Sequence, residues 1–317
     1  MRYAGIELRV LQKDALTHRS DLLVLKYAQN LYGVDFAAAQ VAQVGDTDLP
    51  AVGEFFLVKK PAGIASTDLL FMGVESIADF GYKAVRRFSR NALSTAAELR
   101  LTVREISMTL HGPGFGLDEA EAFESEVAGV VEAIDNGRFP PDLRTVSFVE
   151  LDKSRAERMR LYLGSLLEGA HSRQERTSAR SSRRLDSVGY DSAARPHAFI
   201  AMPFTKVSDE ILYYVISPTV RAVGLLCERM DQISFTGDIL SRMKERIESA
   251  RLVVADLTGA NPNVYLEVGY AWGRGVPCVL LCNREADLKF DVRGQRCLLY
   301  DSMMDLERQL TAELESL

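Results

Sequence analysis

Between Leu252 and Leu280 the chain reads as a strand, a polar turn, a short helix and a second strand, and no other stretch limits the fold so narrowly. Leu252-Val253-Val254-Ala255 has no polar alternation, the pattern of a strand covered on both faces of a parallel sheet. Asp256 follows at the carboxyl end of that strand. In open α/β sheets ligands bind at this end, because the loops leaving it line a crevice. Asn261 predicts a helix cap, and Pro262 fits the first helical position, where a missing N–H costs nothing. At about 100° per residue, Val264, Val268 and Ala271 form the inward stripe of this helix, and Asn263, Glu267 and Tyr270 fall together on its flank. Asp256 and Glu267 are therefore expected on one crevice rim. Two carboxylates and two amides suit a sugar: its hydroxyls need acceptors, and its anomeric carbon needs a nearby anion as it becomes oxocarbenium-like. A single Glu on a helix would suggest only a solvated face; the whole string from Asp256 to Ala271 suggests a site.

Length and composition bound the rest. A chain of 317 residues with 47% hydrophobic content can bury ample core and is expected to hold two domains. The net charge of −6 argues against a stable nucleic-acid partner. Cys227, Cys278, Cys282 and Cys297 form no metal-type C-x-x-C, and His171 and His197 have no spaced partners, so no metal is expected. No signal peptide opens the sequence, and no apolar run reaches about 18 residues, so a cytoplasmic protein without a membrane partner is expected.

Four segments of the second half carry a resemblance: Phe199 to Phe204, Ile239 to Ala250, Asp256 to Ala271, and Val276 to Leu280. Together they resemble the nucleoside 2-deoxyribosyltransferase superfamily and the TIR-like domains that share its flavodoxin-like layout. The match covers nearly all of 196–317. It implies that Glu267, in the Glu-x-Gly-Tyr-Ala motif, attacks or stabilises the sugar C1′ while the base departs. It also implies that Asp256 and Asn263 hold ribose hydroxyls and that Phe204 or Tyr270 faces the base. Asp238 is a further rim candidate, and Phe290, Asp291 and Tyr300 are closing elements.

The first half alternates strands and helices, which predicts a largely parallel, three-layer α/β domain over 1–168. Strands are expected over 6–11, 21–26, 53–59, 68–74, 103–110 and 145–150, and helices over 79–99, 117–135 and 154–167. After the strand ending at Leu110 comes His111-Gly112-Pro113-Gly114-Phe115-Gly116, then a helix. A glycine turn there brings backbone N–H groups and a positive helix end to one point, which suits a diphosphate; taken alone, such a turn is more often only a turn. With the run Val10 to Leu16 ahead of the second strand, this layout resembles a macro domain, the ADP-ribose-binding module. The resemblance implies that Asp14 contacts adenine and that Gly112, Gly114 and Gly116, with Phe115 among them, hold the diphosphate. Hydrolytic macro domains carry an Asn-rich, glycine-rich loop after the second strand. Here that stretch is Tyr27-Ala28-Gln29-Asn30-Leu31-Tyr32-Gly33, which favours binding without turnover.

Residues 169–195 are rich in Ser and Arg, with five arginines against one Glu from His171 to Arg184. A solvated linker is expected, with an anion-binding strap as the alternative. The fold expected is thus α/β, with a macro-like domain over 1–168 and a flavodoxin-like domain over 196–317. Two classes of function fit. One is an N-glycosidase cleaving NAD or a related nucleotide, controlled by an ADP-ribose-like signal, with no separate cofactor and with deoxyribosyl transfer as the variant chemistry. The other is a non-enzymatic nucleotide-sensing protein. The two resemblances together imply a bacterial nucleotide-signalling or anti-phage effector whose site is completed in a homo-oligomer.

Overall fold

A computed structural model describes residues 1–77, 79–168, 179–230, 237–283, 288, 289, 292 and 294–317, with the side chains of 179–181 and 237–239 outside the description. The chain is an α/β protein that divides into two compact units, one of residues 1–112 and 120–193, the other of 113–119 and 194–317.

In the first unit the elements are β1 (Arg2–Tyr3), β2 (Ile6–Gln12), β3 (Leu22–Tyr27), α1 (Gly33–Val41), β4 (Phe55–Lys59), β5 (Asp68–Gly73), α2 (Tyr82–Glu98), β6 (Glu105–Met108), α3 (Glu119–Asp135), β7 (Thr145–Glu150), α4 (Lys153–Leu167) and α5 (Ala179–Ser187). The strands form one sheet in the order β1-β2-β7-β6-β3-β5-β4. Its five inner strands run parallel, and only β1 and β4 are antiparallel to their neighbours. An apolar run such as Leu22-Leu23-Val24-Leu25 belongs in such a centre because both faces are covered, and all four residues are buried. Each such side chain contributes about 1.5–3 kcal/mol by leaving water.

The Ser/Arg segment differs from the expected linker wherever it is described. Helix α5 and the turn after it belong to the first unit. Arg86 on α2 donates from Nη1 to the carbonyls of Leu185 at 2.8 Å and Val188 at 2.6 Å, and from Nε to Glu132 at 2.9 Å. Its guanidinium lies 4.2 Å from the ring centroid of Tyr190. Arg184 forms ion pairs with Glu121 and Glu124 on α3. Burial would raise the Glu132 carboxyl, but hydrogen bonds from Arg90, Arg86 and Tyr190 outweigh it and hold the group below its usual range. A charge-rich segment looks solvated in isolation; here its arginine meets the Glu-rich face of α3, and its carbonyls meet a buried guanidinium. The part of the expected linker in 169–178 lies outside the described residues. Arg86→Met is expected to cost about 1–3 kcal/mol, because it takes a buried donor from two backbone carbonyls while the half-buried Glu132 keeps Arg90 and Tyr190. Urea unfolding of the full chain at pH 7 measures this, and a loss under about 1 kcal/mol would contradict it.

The second unit contains β8 (His197–Ala201), α6 (Lys206–Ile211), α7 (Ser217–Ala222), β9 (Leu226–Arg229), α8 (Gly237–Ser249), β10 (Leu252–Asp256), α9 (Pro262–Gly273), β11 (Cys278–Asn283), β12 (Cys297–Tyr300) and α10 (Met303–Glu315). All five strands are parallel, in the order β12-β11-β10-β8-β9. Each face has its own core. Ala198 and Ile200 pack with residues of α7 and α10, while Phe199 and Ala201 pack with Met243 and Ile247 of α8 and Val264 and Val268 of α9. The helix expected over 209–223 is interrupted by a π-helical turn over Leu212–Ile216. Pro218 has no N–H to give the carbonyl of Tyr214, and the widened turn ends just before it.

Residues 113–119 pair with β9, an edge strand of this sheet. Gly116 N–H donates to the Arg229 carbonyl at 3.3 Å, and Gly114 and Phe115 bridge to Met230. Cys227 N–H donates to Asp118 Oδ2 at 3.0 Å, and Arg221 lies 3.6 Å from the same carboxylate. Gly114, Phe115 and Gly116, expected in the first domain, therefore belong to the second unit; only Gly112 stays with the first.

Candidate functional site

In the second unit the strand order reverses between β8 and β10, and a crevice opens at the carboxyl ends of strands that diverge in this way. Asp256 closes β10 and is 2% exposed. Its Oδ1 accepts the Thr258 N–H at 3.0 Å, and the Tyr300 hydroxyl reaches its Oδ2 at 3.4 Å. Burial raises the Asp256 carboxyl above its usual range, with Thr258 and Tyr300 offsetting part of the shift. The Tyr300 phenol, at the end of β12, is pushed up to about 12 by burial and by the Asp256 charge, so it remains a proton donor at neutral pH. Thr258 also accepts the N–H of Asn283 at 3.0 Å, which ties the turn after β10 to the end of β11.

Helix α9 begins as its sequence dictates. Asn261 accepts the Asn263 N–H at 2.9 Å, and Pro262 occupies the first turn. Glu267 lies in the first half of this helix and is 5% exposed, beside Val264 and Val268, which face the core. A carboxylate at that depth is costly unless charge or hydrogen bonding compensates it. Asn263 is half-buried one turn before it. Phe204, after β8, is 44% exposed, and the Arg229 guanidinium lies 5.3 Å from its ring centroid. Arg229 is held in turn by Asp209 at 2.8 Å.

Tyr270 departs from its expected place. Its hydroxyl donates to Glu248, and Lys244 lies 5.7 Å from its ring, both on α8. Glu248 is near the end of α8, which leads into the amino end of β10. Tyr270 shares the Glu267 flank by helical angle, but it sits about 4.5 Å further along the axis, away from the carboxyl ends. The side chain of Asp238, and Phe290 and Asp291, lie outside the described residues.

The first unit has a separate cavity of about 340 Å³, lined by Asp14, Leu16, Gly33, Val34, Thr109 and Val149 among others. These residues follow β2, β3 and β6 or end β7, so this cavity also lies at the carboxyl ends of parallel strands. Asp14 is exposed, and its Oδ1 accepts the Leu16 N–H at 2.7 Å. Helix α1 presents its N-terminal residues Gly33 and Val34 to the cavity, with no side chain capping the helix. Thr109 Oγ1 is buried and has no hydrogen-bond partner among the described residues. Close to Thr109 in the chain, His111 packs edge-on to Phe88 at 5.0 Å, and burial, then the Lys26 charge, holds it well below its usual range as a neutral imidazole. Lys26 forms an ion pair with Asp35 of α1, and burial outweighs Lys26 in raising the Asp35 carboxyl.

Sequence reasoning missed α1, and with it Gly33, Val34 and the Lys26–Asp35 pair. The available signal was a lysine closing an apolar strand, with an aspartate two residues past a glycine. Thr109 carried no signal beyond its place at a strand end. Among the described residues no cluster of His, Cys, Asp and Glu could hold a metal ion, and no helix is long and apolar enough to cross a membrane.

No family model and no curated protein matches the sequence. Solved structures similar to it include an Oceanobacillus iheyensis macrodomain with ADP, at 16% identity and a TM-score of 0.44, covering 53% of this chain and 95% of that one. The Trypanosoma brucei macrodomain in complex with ADP is similar at 16% identity and a TM-score of 0.38, covering 51% of this chain and 79% of that one. The macro domain of ganglioside induced differentiation associated protein 2 is similar at 14% identity and a TM-score of 0.39, covering 49% of this chain and 84% of that one.

Proposed function

We propose that the protein is a nucleotide N-glycosidase whose flavodoxin-like second unit cleaves the ribosyl bond of NAD or a related nucleotide, under control of an ADP-ribose-like ligand in the macro-like first unit. One observation carries the enzymatic part: two buried carboxylates, Asp256 and Glu267, stand at the end of β10 and in the first half of α9, next to the point where the strand order reverses. Glu267 is the anion for a C1′ that gains oxocarbenium character as the base leaves. Asp256 and Asn263 accept from ribose hydroxyls, and Phe204, held by Arg229, stacks on the base. Water then completes hydrolysis at C1′; a second base in its place would complete deoxyribosyl transfer. Self-association would exclude water from the rest of the crevice and strengthen the electrostatics further. Incubating the full chain with NAD, nucleosides and deoxynucleosides, with and without ADP-ribose and an acceptor base, tests the reading. Nicotinamide from NAD is the expected product, base exchange from deoxynucleosides would identify the transferase, and no released base from any of them would refute both.

The first unit's cavity supports the choice of controlling ligand. An apolar wall for a base, an exposed carboxylate at Asp14 for an exocyclic amine, and an uncapped helix start at Gly33 for an anion suit a nucleotide. Ala37 also lines this cavity. Ala37→Phe is expected to fill it and to weaken ADP-ribose binding by at least about a hundredfold, since a ring of that size displaces the ligand. Calorimetry on the full chain measures this, and unchanged affinity would place the ligand elsewhere.

A further inference from the structure

To accept hydrogen bonds from a sugar Asp256 must present a carboxylate, yet burial disfavours its charge, and no lysine or arginine among the described residues pairs with it. A directed run of hydrogen bonds stands where a cation would. It starts at the backbone N–H of Asn283, at the end of β11, which can only donate and gives its hydrogen to Thr258 Oγ1 at 3.0 Å. The Thr258 and Tyr300 hydroxyl oxygens lie 3.4 Å apart, and Tyr300 Oη lies 3.4 Å from Asp256 Oδ2. Because Thr258 already accepts from Asn283, its own hydrogen is free to turn toward Tyr300, and the Tyr300 hydrogen then points at Asp256. The other carboxylate oxygen, Oδ1, accepts the Thr258 N–H at 3.0 Å, again from a donor that cannot reverse. Two of the roughly four acceptor sites of the carboxylate are thus filled by donors aimed at it, and the others are left for hydroxyls. Tyr300 has little freedom to turn away, since its ring is buried in the core beside Leu298 and Leu306.

We infer that Tyr300 is a positioning residue that holds Asp256 as an acceptor, and that the crevice thereby selects ribosides over 2′-deoxyribosides. The inference rests on the reading of the crevice as a glycosidase site. A neutral Asp256 would carry a hydrogen of its own, which would face one of its fixed donors. A sugar without the 2′-hydroxyl leaves an acceptor of this buried carboxylate unpartnered, and a site built to bond a hydroxyl rejects the analogue that lacks it. The 3.4 Å contacts are long for O–H···O bonds, a spacing that tightens when substrate closes a site. The neighbouring titratable groups do not favour the anion by charge. Cys282 of β11 and Cys297 and Tyr300 of β12 are raised first by burial, with the Asp256 charge adding to each. Glu267 on α9, the other carboxylate of the rim, has the same sign as Asp256. Only hydrogen bonds, from Thr258 and Tyr300, oppose burial at Asp256.

The test measures base release by the full chain from NAD and from its analogue lacking the 2′-hydroxyl of the nicotinamide ribose, as kcat/KM between about pH 5 and pH 9. The greater intrinsic lability of the deoxy sugar cancels when each variant is compared with the parent chain. Tyr300→Phe cannot donate, so Asp256 keeps its proton to a higher pH, and the acid limb of kcat/KM for NAD is expected to move up by about one pH unit. The preference for NAD over the analogue is expected to fall about tenfold, mainly through KM. Thr258→Val removes the donor one link earlier with a side chain of the same shape, and is expected to shift both quantities the same way by less. Urea unfolding checks the fold of each variant, and Thr258→Val decides the matter if Tyr300→Phe does not fold. An acid limb and a preference that stay at parent values in the folded variants would overturn the role of Tyr300 and leave the glycosidase reading standing. A parent chain that favours the deoxy analogue would overturn the selection. Release of no base from either substrate by the parent chain would overturn the glycosidase reading, and this inference with it.

Discussion

Replacing Glu267 by glutamine is expected to lower base release from NAD by about a hundredfold to a thousandfold, with little change in substrate affinity. The amide keeps the shape of the side chain, so α9 stays packed through Val264, Val268 and Ala271. What disappears is negative charge, which matters little to the bound ground state and much to a C1′ gaining oxocarbenium character. The effect is magnified by the 5% exposure of the group, since a charge in a dry site is weakly screened. Asp256→Asn should behave differently. Asp256 is placed to hold hydroxyls rather than to face the developing charge at C1′, so its loss should raise KM more than it lowers kcat. Single-turnover release of labelled nicotinamide by each variant separates the two. Parent-level turnover in Glu267→Gln would remove Glu267 from the chemistry.

The segment from Leu252 to Gly273 was readable because its signals are local. An unalternated apolar run, an Asn-Pro start and a 3.6-residue stripe each act within a few residues, and they are present as β10 and α9 with the Asn261 cap. The depth of Glu267 was not readable, because burial depends on what packs over the helix. Helical angle placed Tyr270 on the correct flank but carries no information about axial height, and its hydroxyl is engaged by Glu248. The glycine turn illustrates the same limit at longer range. Its composition announces left-handed backbone, and Gly112, Gly114 and Gly116 adopt it, yet the partner of Gly116 is a carbonyl at Arg229, far along the chain. No local pattern could name that acceptor. Likewise the arginines of the Ser/Arg segment look solvated until the acidic face of α3 is set beside them.

A change in stability that depends on pH is expected from a residue with no part in either site. Glu126 on α3 is fully buried, and neither carboxyl oxygen has a hydrogen-bond partner among the described residues. Its helix approaches α2 so closely that a Cβ on Gly129, one turn further, would lie 2.1 Å from the Arg86 carbonyl oxygen. Burial raises the Glu126 carboxyl well above its ordinary 4.5, with no nearby charge to offset the shift. In the unfolded chain the group ionises near that ordinary value; in the folded chain it keeps its proton to a higher pH. Between the two the folded state binds one more proton than the unfolded state, so stability falls as pH rises, by about 1.4 kcal/mol per pH unit. Glu126→Met has similar volume and no proton to hold. It is therefore expected to be more stable than the parent chain at pH 7.5, with an advantage that shrinks as pH falls toward 4.5, where the group in the unfolded chain is itself about half protonated. Urea unfolding of both proteins at pH 4.5, 6 and 7.5 gives the difference directly. An advantage that stays constant across this range, or a variant less stable at pH 7.5, would mean that Glu126 is ionised in the folded protein and has a compensating partner.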